Sequence, residues 1–206
     1  MPLLSADCIG VDRHRRLRAD AAVIGMSEIV LEYGFSERDR DGIVALLREY
    51  EAGTGVSLCF QGFDAEVAGL PGNYGPPRGT MVLARETGSE QLVGCVALRP
   101  VPDRTHLCEM KRLYVCPGQR GSGLGVRLAL AVMAEACRLG YRRICLDTLP
   151  SMTAAQALYR RLGFYHTGVT TTEPCVLLFE RRLGGDDASP ELGLAMVARD
   201  RWGDGF

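Results

Sequence analysis

The sequence predicts an α/β domain with a mixed central sheet and helices on both faces. Three observations lead to this prediction. Two apolar segments joined by a glycine-containing turn over residues 80–100 are typical of a β-hairpin. A third strand-like segment enters a glycine-rich loop and an apolar helix, and another strand follows that helix. A hairpin that continues into a β-α-β unit gives both antiparallel and parallel strand pairs.

Composition limits the function classes. Apolar residues make up 47% of the 206 residues, charged residues 24%, and the formal net charge is -1. This balance gives no electrostatic footprint for nucleic acid. No apolar run approaches the roughly eighteen residues of a membrane span, and the N-terminus lacks a charged-then-apolar signal. We therefore expect a cytoplasmic protein with neither nucleic acid nor membrane as a partner.

The eight cysteines contain no CxxC pair, and most of them stand inside apolar strand or helix patterns. Reduced cysteine in such a pattern behaves as a small hydrophobe. The three histidines, at positions 14, 106 and 166, are scattered. A zinc site needs clustered ligands, so we expect structural cysteines and no metal site.

The chain divides into three parts. Residues 1–26 show no sustained period and predict a flexible N-terminal extension. The patterned domain covers residues 27–183. Residues 184–206 are rich in Gly, Asp and Pro and predict a mobile tail.

The first elements of the domain are a strand and two helices. "SEIVLEYG" alternates like a strand. The next segment begins with Ser36 as a candidate N-cap and places apolar residues at helical spacing from Ile43 to Tyr50. Phe60, Phe63 and Leu70 suggest a short helix before a loop rich in Pro and Gly.

The later elements alternate between strands and helices. "HLCEMKRLYV" is the third strand of the group that begins with the hairpin. The helix from Leu124 to Leu139 has only three charged residues, which share one narrow sector, so its remaining surface should pack against the sheet. "YRRICLDTL" is a strand, "SMTAAQALYRRLG" a helix with a Ser or Thr cap, and "EPCVLLFERRL" a last strand.

The glycine loop is the main candidate for a ligand site. Gly121, Gly123 and Gly125 alternate at a strand-to-helix junction. Glycines there let several backbone N-H groups converge where the helix dipole is positive, which suits a phosphate or pyrophosphate. The structural alternative is a tight turn with close helix packing, but one glycine would be enough for that.

Three classes of phosphate-containing ligand could bind the glycine loop: a nucleoside triphosphate, a dinucleotide and an acyl-coenzyme A. A Walker loop requires a lysine after the glycines, and none follows. A dinucleotide fold has Asp147 in its favour as a ribose-binding acid. Against it, the pattern is GxGxG, and the preceding strand carries Glu109, Lys111 and Arg112 where a dinucleotide fold has a continuous apolar run. The third class is acyl-coenzyme A.

Two motifs resemble the GNAT superfamily of N-acetyltransferases. "LYVCPGQRGSGLG" is similar to the coenzyme A signature of that superfamily, with Arg120, Gly123 and Gly125 in its positions. "AAQALYRRLGF" is similar to the second signature, from Ala155 to Phe164. The separation of the two motifs and the order of elements from about Ser27 to Leu183 match as well. The resemblance implies a mostly antiparallel sheet of six to seven strands with a splayed central pair.

The resemblance also implies a binding mode for acetyl-coenzyme A. The pantetheine arm would lie in the gap between the splayed strands and hydrogen-bond to backbone there, while backbone amides of the glycine loop would hold the pyrophosphate and Arg120 could add a cation. The expected cofactor-binding residues are Leu113, Tyr114, Val115, Arg120, Gly121, Ser122, Gly123, Leu124, Gly125, Val126 and Ala155.

Two residues carry the expected chemistry. Transfer to an amine requires a base for the amine and a proton for the leaving thiolate. The resemblance places Tyr159 as the general acid, against the alternative of a half-buried core tyrosine. Glu109 is the candidate base, against the alternative of a salt bridge with Lys111 or Arg112. A covalent route through Cys108 or Cys116 would need an adjacent histidine base.

One position departs from the family pattern. Met152 stands where relatives often have an asparagine that contacts the cofactor.

The identity of the acceptor is the least defined part of the predicted function. The acceptor cleft should be flanked by residues 63–79 and 165–175. The polar side chains there that could contact an acceptor are Asp64, Glu66, Tyr74, Arg78 and Glu173.

The sequence thus predicts an N-acetyltransferase that transfers an acetyl group from acetyl-coenzyme A to a primary amine of a small-molecule or amino-acid-like acceptor. The alternative is a non-catalytic module of the same fold that senses acyl-coenzyme A or serves in protein interaction. Homodimerisation is a further expectation from the resemblance.

Overall fold

A computed structural model describes residues 28–171 and 174–184, without the side chains of Phe60 and Gln61. The expected N-terminal extension, Glu173 and the tail beyond Gly184 lie outside the described residues. No helix within the described residues is long and apolar enough to span a membrane.

One sheet of seven strands forms the centre of the domain. The strands are β1 Ile29–Tyr33, β2 Thr80–Glu86, β3 Leu92–Val101, β4 Arg104–Val115, β5 Arg143–Thr148, β6 Tyr165–Val169 and β7 Leu177–Arg182. Their order in the sheet is β1-β2-β3-β4-β5-β7-β6, and all neighbours are antiparallel except β4 and β5. The predicted mixed, mostly antiparallel sheet is therefore confirmed.

Four α-helices accompany the sheet in the described part of the chain. They are α1 Arg40–Thr54, α2 Phe63–Ala68, α3 Leu124–Arg138 and α4 Thr153–Arg161. Short 3-10 turns precede α1 and α2 and interrupt the loops before β2 and α3.

Two separate apolar clusters cover the sheet, one on each face. Leu128, Ala129 and Val132 of α3 pack with Val96 and Ile144 of the sheet in the first cluster. Residues of α1 and α2, including Leu47 and Phe63, pack with Met81, Leu83 and Ala97 in the second. Alternate residues of β2 and β3 enter opposite clusters, as the period of a strand requires. The predicted placement of helices on both faces is confirmed.

The helix limits differ from the predicted caps. Ser36 precedes a 3-10 turn, Glu37–Asp39, and its side chain makes no capping hydrogen bond. The helix α1 begins at Arg40 instead, and Gly55 ends it in the left-handed conformation with φ of 72°. Met152 occupies the N-cap position of α4, so the predicted Ser or Thr cap is wrong there as well. These helices are held by their buried faces rather than by side-chain caps.

The segments with strand patterns number six, and they do not include the strand β6. Within the described residues β6 stands at the edge of the sheet and pairs with β7 alone, and its register shifts between His166 and Gly168. Four of its five residues are exposed and the fifth is half-buried. Without a buried face, its sequence lacks the alternation that identifies a strand.

The parallel pair β4 and β5 separates before its strands end. Its register covers Leu107 with Arg143, Cys108 with Ile144 and Glu109 with Cys145. Strand β4 then continues to Val115 and β5 to Thr148 without pairing to each other. The splayed central pair expected from the resemblance is present, and it opens the sheet at its centre.

Candidate active site

The gap between β4 and β5 forms the mouth of a cleft. Residues Met110 to Leu113 line one side, and Asp147 to Leu149 line the other. Tyr159 of α4 and Tyr50 of α1 reach the cleft from opposite faces of the sheet. The cavity between these side chains is narrow, with a volume of about 30 Å³. Side chains from both helical layers therefore meet at the gap.

A β-bulge shapes the β4 side of this gap. The register with β3 passes from Cys95 opposite Tyr114 to Ala97 opposite Lys111, so β4 has one extra residue there. Arg112 lies in this bulge with φ of 58°, a conformation that non-glycine residues rarely adopt. The bulge bends β4 at the point where it leaves β5. Beyond Glu109, the β5-side edge of β4 is available to pair with an extended ligand.

The contacts of Arg112 hold the bulge in place. Its guanidinium donates to both carboxylate oxygens of Glu66, at 2.7 and 2.9 Å. It also lies 4.9 Å from the ring centroid of Phe63 and 5.8 Å from that of Tyr50. The side chain is 1% exposed. A bidentate ion pair between aromatic rings fixes a strained backbone position that an isolated strand would not keep.

The glycine loop presents backbone donors at the start of α3. Gly121 and Gly123 have φ of 76° and 80°, which places both in the left-handed region. Among the hydrogen bonds of the described residues, none is donated by the backbone N-H groups of residues 121–126. These groups stand at the positive end of a fifteen-residue helix. The loop therefore fits an anionic group such as a pyrophosphate.

Gly125 differs from the other two glycines of the loop. A Cβ added there would meet Leu158 and Val115 at 3.8 and 3.9 Å, ordinary contact distances, and its φ lies outside the left-handed region. The three glycines that the sequence grouped together are therefore not equivalent, because two are required by backbone conformation and the third is not.

Arg120 is folded back onto the end of β4 in this structure. Its Nε donates to the Val115 carbonyl at 3.1 Å, and its guanidinium lies 5.6 Å from the centroid of the Tyr114 ring. The residue is exposed. The expected loop cation is therefore next to the loop, in contact with the same β4 backbone that was expected to bind the pantetheine arm.

Tyr159 is placed in the cleft by α4 and is 7% exposed. Its ring packs against Phe164 and Phe179, with centroids 5.9 and 6.3 Å away. Burial, and then the nearby Tyr50 and Asp147, raise the pKa of the Tyr159 phenol above its ordinary value of 10.0. The phenol is therefore protonated near neutral pH, as a proton donor must be.

Four charged side chains form a chain of ion pairs across the gap. Lys111 Nζ lies 2.5 Å from Asp147 Oδ1 and 3.6 Å from Glu109 Oε1. Arg99 Nε donates to Glu109 Oε2 at 2.7 Å. Burial acts to raise the pKa of Asp147, but the charge and hydrogen bond of Lys111 outweigh it and lower the pKa below 3.8. The predicted alternative for Glu109, an ion pair with Lys111, is therefore present as part of a longer network.

Asp147 is the carboxylate that lines the cleft, whereas Glu109 stands one ion pair away from it. Sequence reasoning considered Asp147 only as a ribose ligand of a dinucleotide fold. Its position at the carboxyl end of the strand that follows α3 was the available signal, because that end forms one side of the gap. Thr148 also lines the cleft, and its buried Oγ1 has no hydrogen-bond partner among the residues that the structure describes.

Cys108 of β4 and Cys116, which directly follows β4, are poor candidates for a covalent route. Burial raises the pKa of the Cys108 thiol well above 9.0. Burial and the Glu49 carboxylate raise the pKa of Cys116 to about 11. A protonated thiol is a weak nucleophile. Among the described residues, no group of three or more His, Cys, Asp or Glu side chains could hold a metal ion.

The remaining predicted positions are distributed around the cleft. Met152 lines it, and its backbone N-H donates to the Leu149 carbonyl. Ala155 is half-buried against the α3-side core. Asp64 pairs with Arg48 at the surface. Arg78 donates to the Thr105 carbonyl, so it is engaged away from the cleft lining.

The class of protein follows from these features together. An open sheet with a glycine loop at its central gap is expected of acyltransferases that use an acyl-coenzyme A donor. The acetyltransferase (GNAT) family model matches residues 43–164, which is more than half of the chain. The chain belongs to this family, and it is an acyltransferase.

A named relative supports the same family, and solved structures of such proteins share the fold. An uncharacterized N-acetyltransferase of Schizosaccharomyces pombe is 42% identical over 137 residues, which cover 66% of this chain and 80% of that protein. The structure of a GNAT-family acetyltransferase of Staphylococcus aureus superposes with a TM-score of 0.62, at 16% identity, over 75% of this chain and 99% of its own. A candidate acyl-CoA N-acyltransferase of Klebsiella pneumoniae gives 0.58 and 25% identity, over 77% and 99%.

Proposed function

We propose that the protein transfers the acetyl group of acetyl-coenzyme A to a primary amine of a small-molecule or amino-acid-like acceptor, by direct attack in a ternary complex. The observation that carries this proposal is the separation of β4 and β5 beside Tyr159. It leaves an extended edge of β4 for the pantetheine arm, beside the Tyr159 side chain.

In the proposed binding mode the donor has two anchors. Backbone groups of Leu113, Tyr114 and Val115 pair with the pantetheine arm as an added strand would. The amides from Gly121 to Val126 bind the pyrophosphate at the start of α3. Support for the second anchor comes from their lack of acceptors among the described residues.

The proposed chemistry assigns one proton transfer to each of two side chains. The amine nitrogen attacks the thioester carbonyl carbon, and the bond between carbon and sulfur breaks. Glu109 accepts the proton that the amine loses, directly or through water. Tyr159 donates its phenol proton to the leaving thiolate, which its raised pKa supports.

The base assignment can be tested against Asp147, the other carboxylate of the network. We expect Glu109→Gln to lower kcat/KM by about 100-fold, since general-base catalysis contributes about 100-fold or more. Coenzyme A release measured at pH 7 for Glu109→Gln and Asp147→Asn decides between them. A loss of that size in Asp147→Asn, with little change in Glu109→Gln, would transfer the role to Asp147.

A non-catalytic acyl-coenzyme A sensor is the second candidate, because both carboxylates at the gap are already held in ion pairs. Calorimetry with acetyl-coenzyme A and a thiol-release assay over a pool of primary amines separate the two. Binding with turnover supports the enzyme, and binding without turnover of any amine supports the sensor. An absence of binding at millimolar concentration would contradict both. Homodimerisation and a cytoplasmic location remain predictions of the sequence.

A further inference from the structure

A second pocket lies beside the cleft, on the face of the sheet that α1 and α2 cover. Glu66 of α2, Gly72 to Tyr74 of the following 3-10 turn and Arg99 of β3 are among its walls. Its cavity volume is about 250 Å³. This is near the lower end of the range for small-molecule sites, so it suits a small ligand or a small group such as a carboxylate.

Tyr74 supplies a buried hydroxyl to the pocket. The residue is 3% exposed, and within the described part of the chain its Oη makes no hydrogen bond of ordinary geometry, although the Glu66 carboxylate lies nearby. Burial, followed by the Glu66 carboxylate, raises the pKa of Tyr74 above 10.0, so the hydroxyl is a donor at neutral pH. A buried donor left without a well-placed acceptor is unfavourable. An acceptor atom on a ligand in this pocket would pair with it.

Arg99 supplies positive charge at the same wall. Its Nε and Nη2 both contact Glu109 Oε2 at 2.7 Å, which leaves Nη1 without a partner among the described residues. A guanidinium has five N-H donors in one plane, so the unused side can bind a second anion. The Glu66 carboxylate at the same wall is paired with Arg112, which balances its charge.

Two ion pairs connect this pocket to the cleft. Arg99 lines the pocket and bonds to Glu109, the proposed base, while Glu66 lines the pocket and bonds to Arg112, which lines the cleft. A group bound at Arg99 is therefore only one side chain away from Glu109. The network also has three cations, Arg99, Lys111 and Arg112, and three anions, Glu66, Glu109 and Asp147, so its formal charge is balanced.

We propose that this pocket binds the carboxylate of the acceptor through Tyr74 Oη and Arg99, and that the acceptor is a free α-amino acid. The inference rests on the proposed function and narrows its substrate class. Arg99 contacts both the pocket and Glu109, so an acceptor whose amine stays close to its carboxylate, as in an α-amino acid, keeps that amine on the side of the proposed base. A zwitterion also enters a charge-balanced network without adding net charge.

The first test compares acceptors that differ only in the carboxylate. Each of the twenty standard L-amino acids and its decarboxylated amine is assayed by coenzyme A release, and its binding to the protein saturated with coenzyme A is measured by calorimetry. We expect at least one amino acid to exceed its amine about tenfold in kcat/KM and in affinity, because a hydrogen bond to a charged group is worth about 1.5–3 kcal/mol.

The second test removes the Tyr74 hydroxyl alone. In Tyr74→Phe we expect KM for the preferred amino acid to rise about tenfold with kcat little changed, and no change for its decarboxylated amine. Thermal stability should be equal or higher, since no hydrogen bond within the protein is lost. Tyr33→Phe, at a tyrosine that is 40% exposed on β1, is the matched control.

The outcomes separate this inference from the proposed function. Turnover of amines with no preference for the carboxylate, or an equal loss for both acceptors in Tyr74→Phe, overturns the carboxylate pocket and leaves the acetyltransferase standing. Binding of acetyl-coenzyme A with no turnover of any amine overturns the proposed function. In that case, tighter calorimetric binding of an amino acid than of its decarboxylated amine still supports a carboxylate site in this pocket. Equal binding of the two overturns that site as well.

Discussion

Tyr159 is the residue on which the proposed chemistry depends most. Its phenol is buried in the cleft with a raised pKa, so it can donate a proton but does not ionise in the usual assay range. The sequence placed it through the second signature, and the structure adds that the ring is fixed between α4 and the sheet by Phe164 and Phe179.

We expect Tyr159→Phe to lower kcat by about 100-fold, because general-acid catalysis contributes about 100-fold or more. Affinity for acetyl-coenzyme A should stay within about twofold, since the aromatic contacts are kept. The wild-type kcat should show no alkaline decline from this residue up to about pH 9.5, because its pKa is above the ordinary 10.0. Tyr165→Phe, at a tyrosine that is 49% exposed on β6, is the control. Equal kcat values in Tyr159→Phe and wild type would remove the acid role.

The contact of Asp147 with Lys111 could not be predicted from the sequence. A strand pattern predicts that alternate residues face opposite sides, but it does not say that Lys111 of one strand meets Asp147 of another at 2.5 Å. That contact depends on the three-residue parallel register and on the bulge after it. Tyr159, by contrast, could be placed because a local motif identifies it.

The pair of Asp147 and Lys111 makes stability depend on pH. We expect Asp147→Asn to lower the free energy of unfolding by about 3 kcal/mol at pH 7, because it leaves a buried lysine with only the more distant Glu109. The pKa of Asp147 is lower in the folded protein than its ordinary value of 3.8, so its contribution is complete above that value. It is lost as pH falls through the folded pKa.

Urea unfolding at pH 7, 5 and 3 checks this prediction. The difference between wild type and Asp147→Asn should be the same at pH 7 and 5 and smaller at pH 3. Asp64→Asn is the matched control, since its ion pair with Arg48 is exposed and worth about 0–1 kcal/mol. A difference that grows as pH falls is incompatible with a lowered pKa.

At the scale of elements, the loop before α3 was predicted as one unit but contains glycines of two kinds. Gly123 needs its left-handed backbone, and Gly125 has ordinary space for a methyl group. Composition alone cannot distinguish the two glycines. The φ of each depends on the direction in which the chain enters α3 after the 3-10 turn Pro117–Gln119.

The two glycines should therefore respond differently to alanine. We expect Gly123→Ala to lower stability by about 1 kcal/mol, the cost of a left-handed non-glycine residue, and to weaken acetyl-coenzyme A binding about tenfold as the loop amides shift. Gly125→Ala should keep the affinity and gain up to about 1 kcal/mol from helix propensity. Calorimetry and urea unfolding of both variants measure this. Equal losses of affinity would mean that both positions require the absence of a side chain.

For the whole molecule, the mixed, mostly antiparallel sheet and the helices on both of its faces could be predicted, because local patterns and the resemblance agree from about residue 27 to 183. The edge strand β6, the bulge in β4 and the second pocket could not. Each depends on contacts between segments distant in sequence, such as Arg112 with Glu66 or Arg99 with Glu109, which no periodicity records.

The arrangement of side chains on both faces of the sheet also predicts that both substrates are bound before the acetyl group is transferred. The glycine loop and α4 approach the gap from the α3 side, while Glu66 and Tyr74 approach it from the α1 side. Donor and acceptor can therefore be bound together, and the raised pKa values of Cys108 and Cys116 disfavour a covalent acyl-enzyme. We expect initial velocities at varied concentrations of both substrates to give intersecting lines in reciprocal plots. Parallel lines, together with a stoichiometric burst of coenzyme A in the absence of acceptor, would instead require an acylated residue and reject direct transfer.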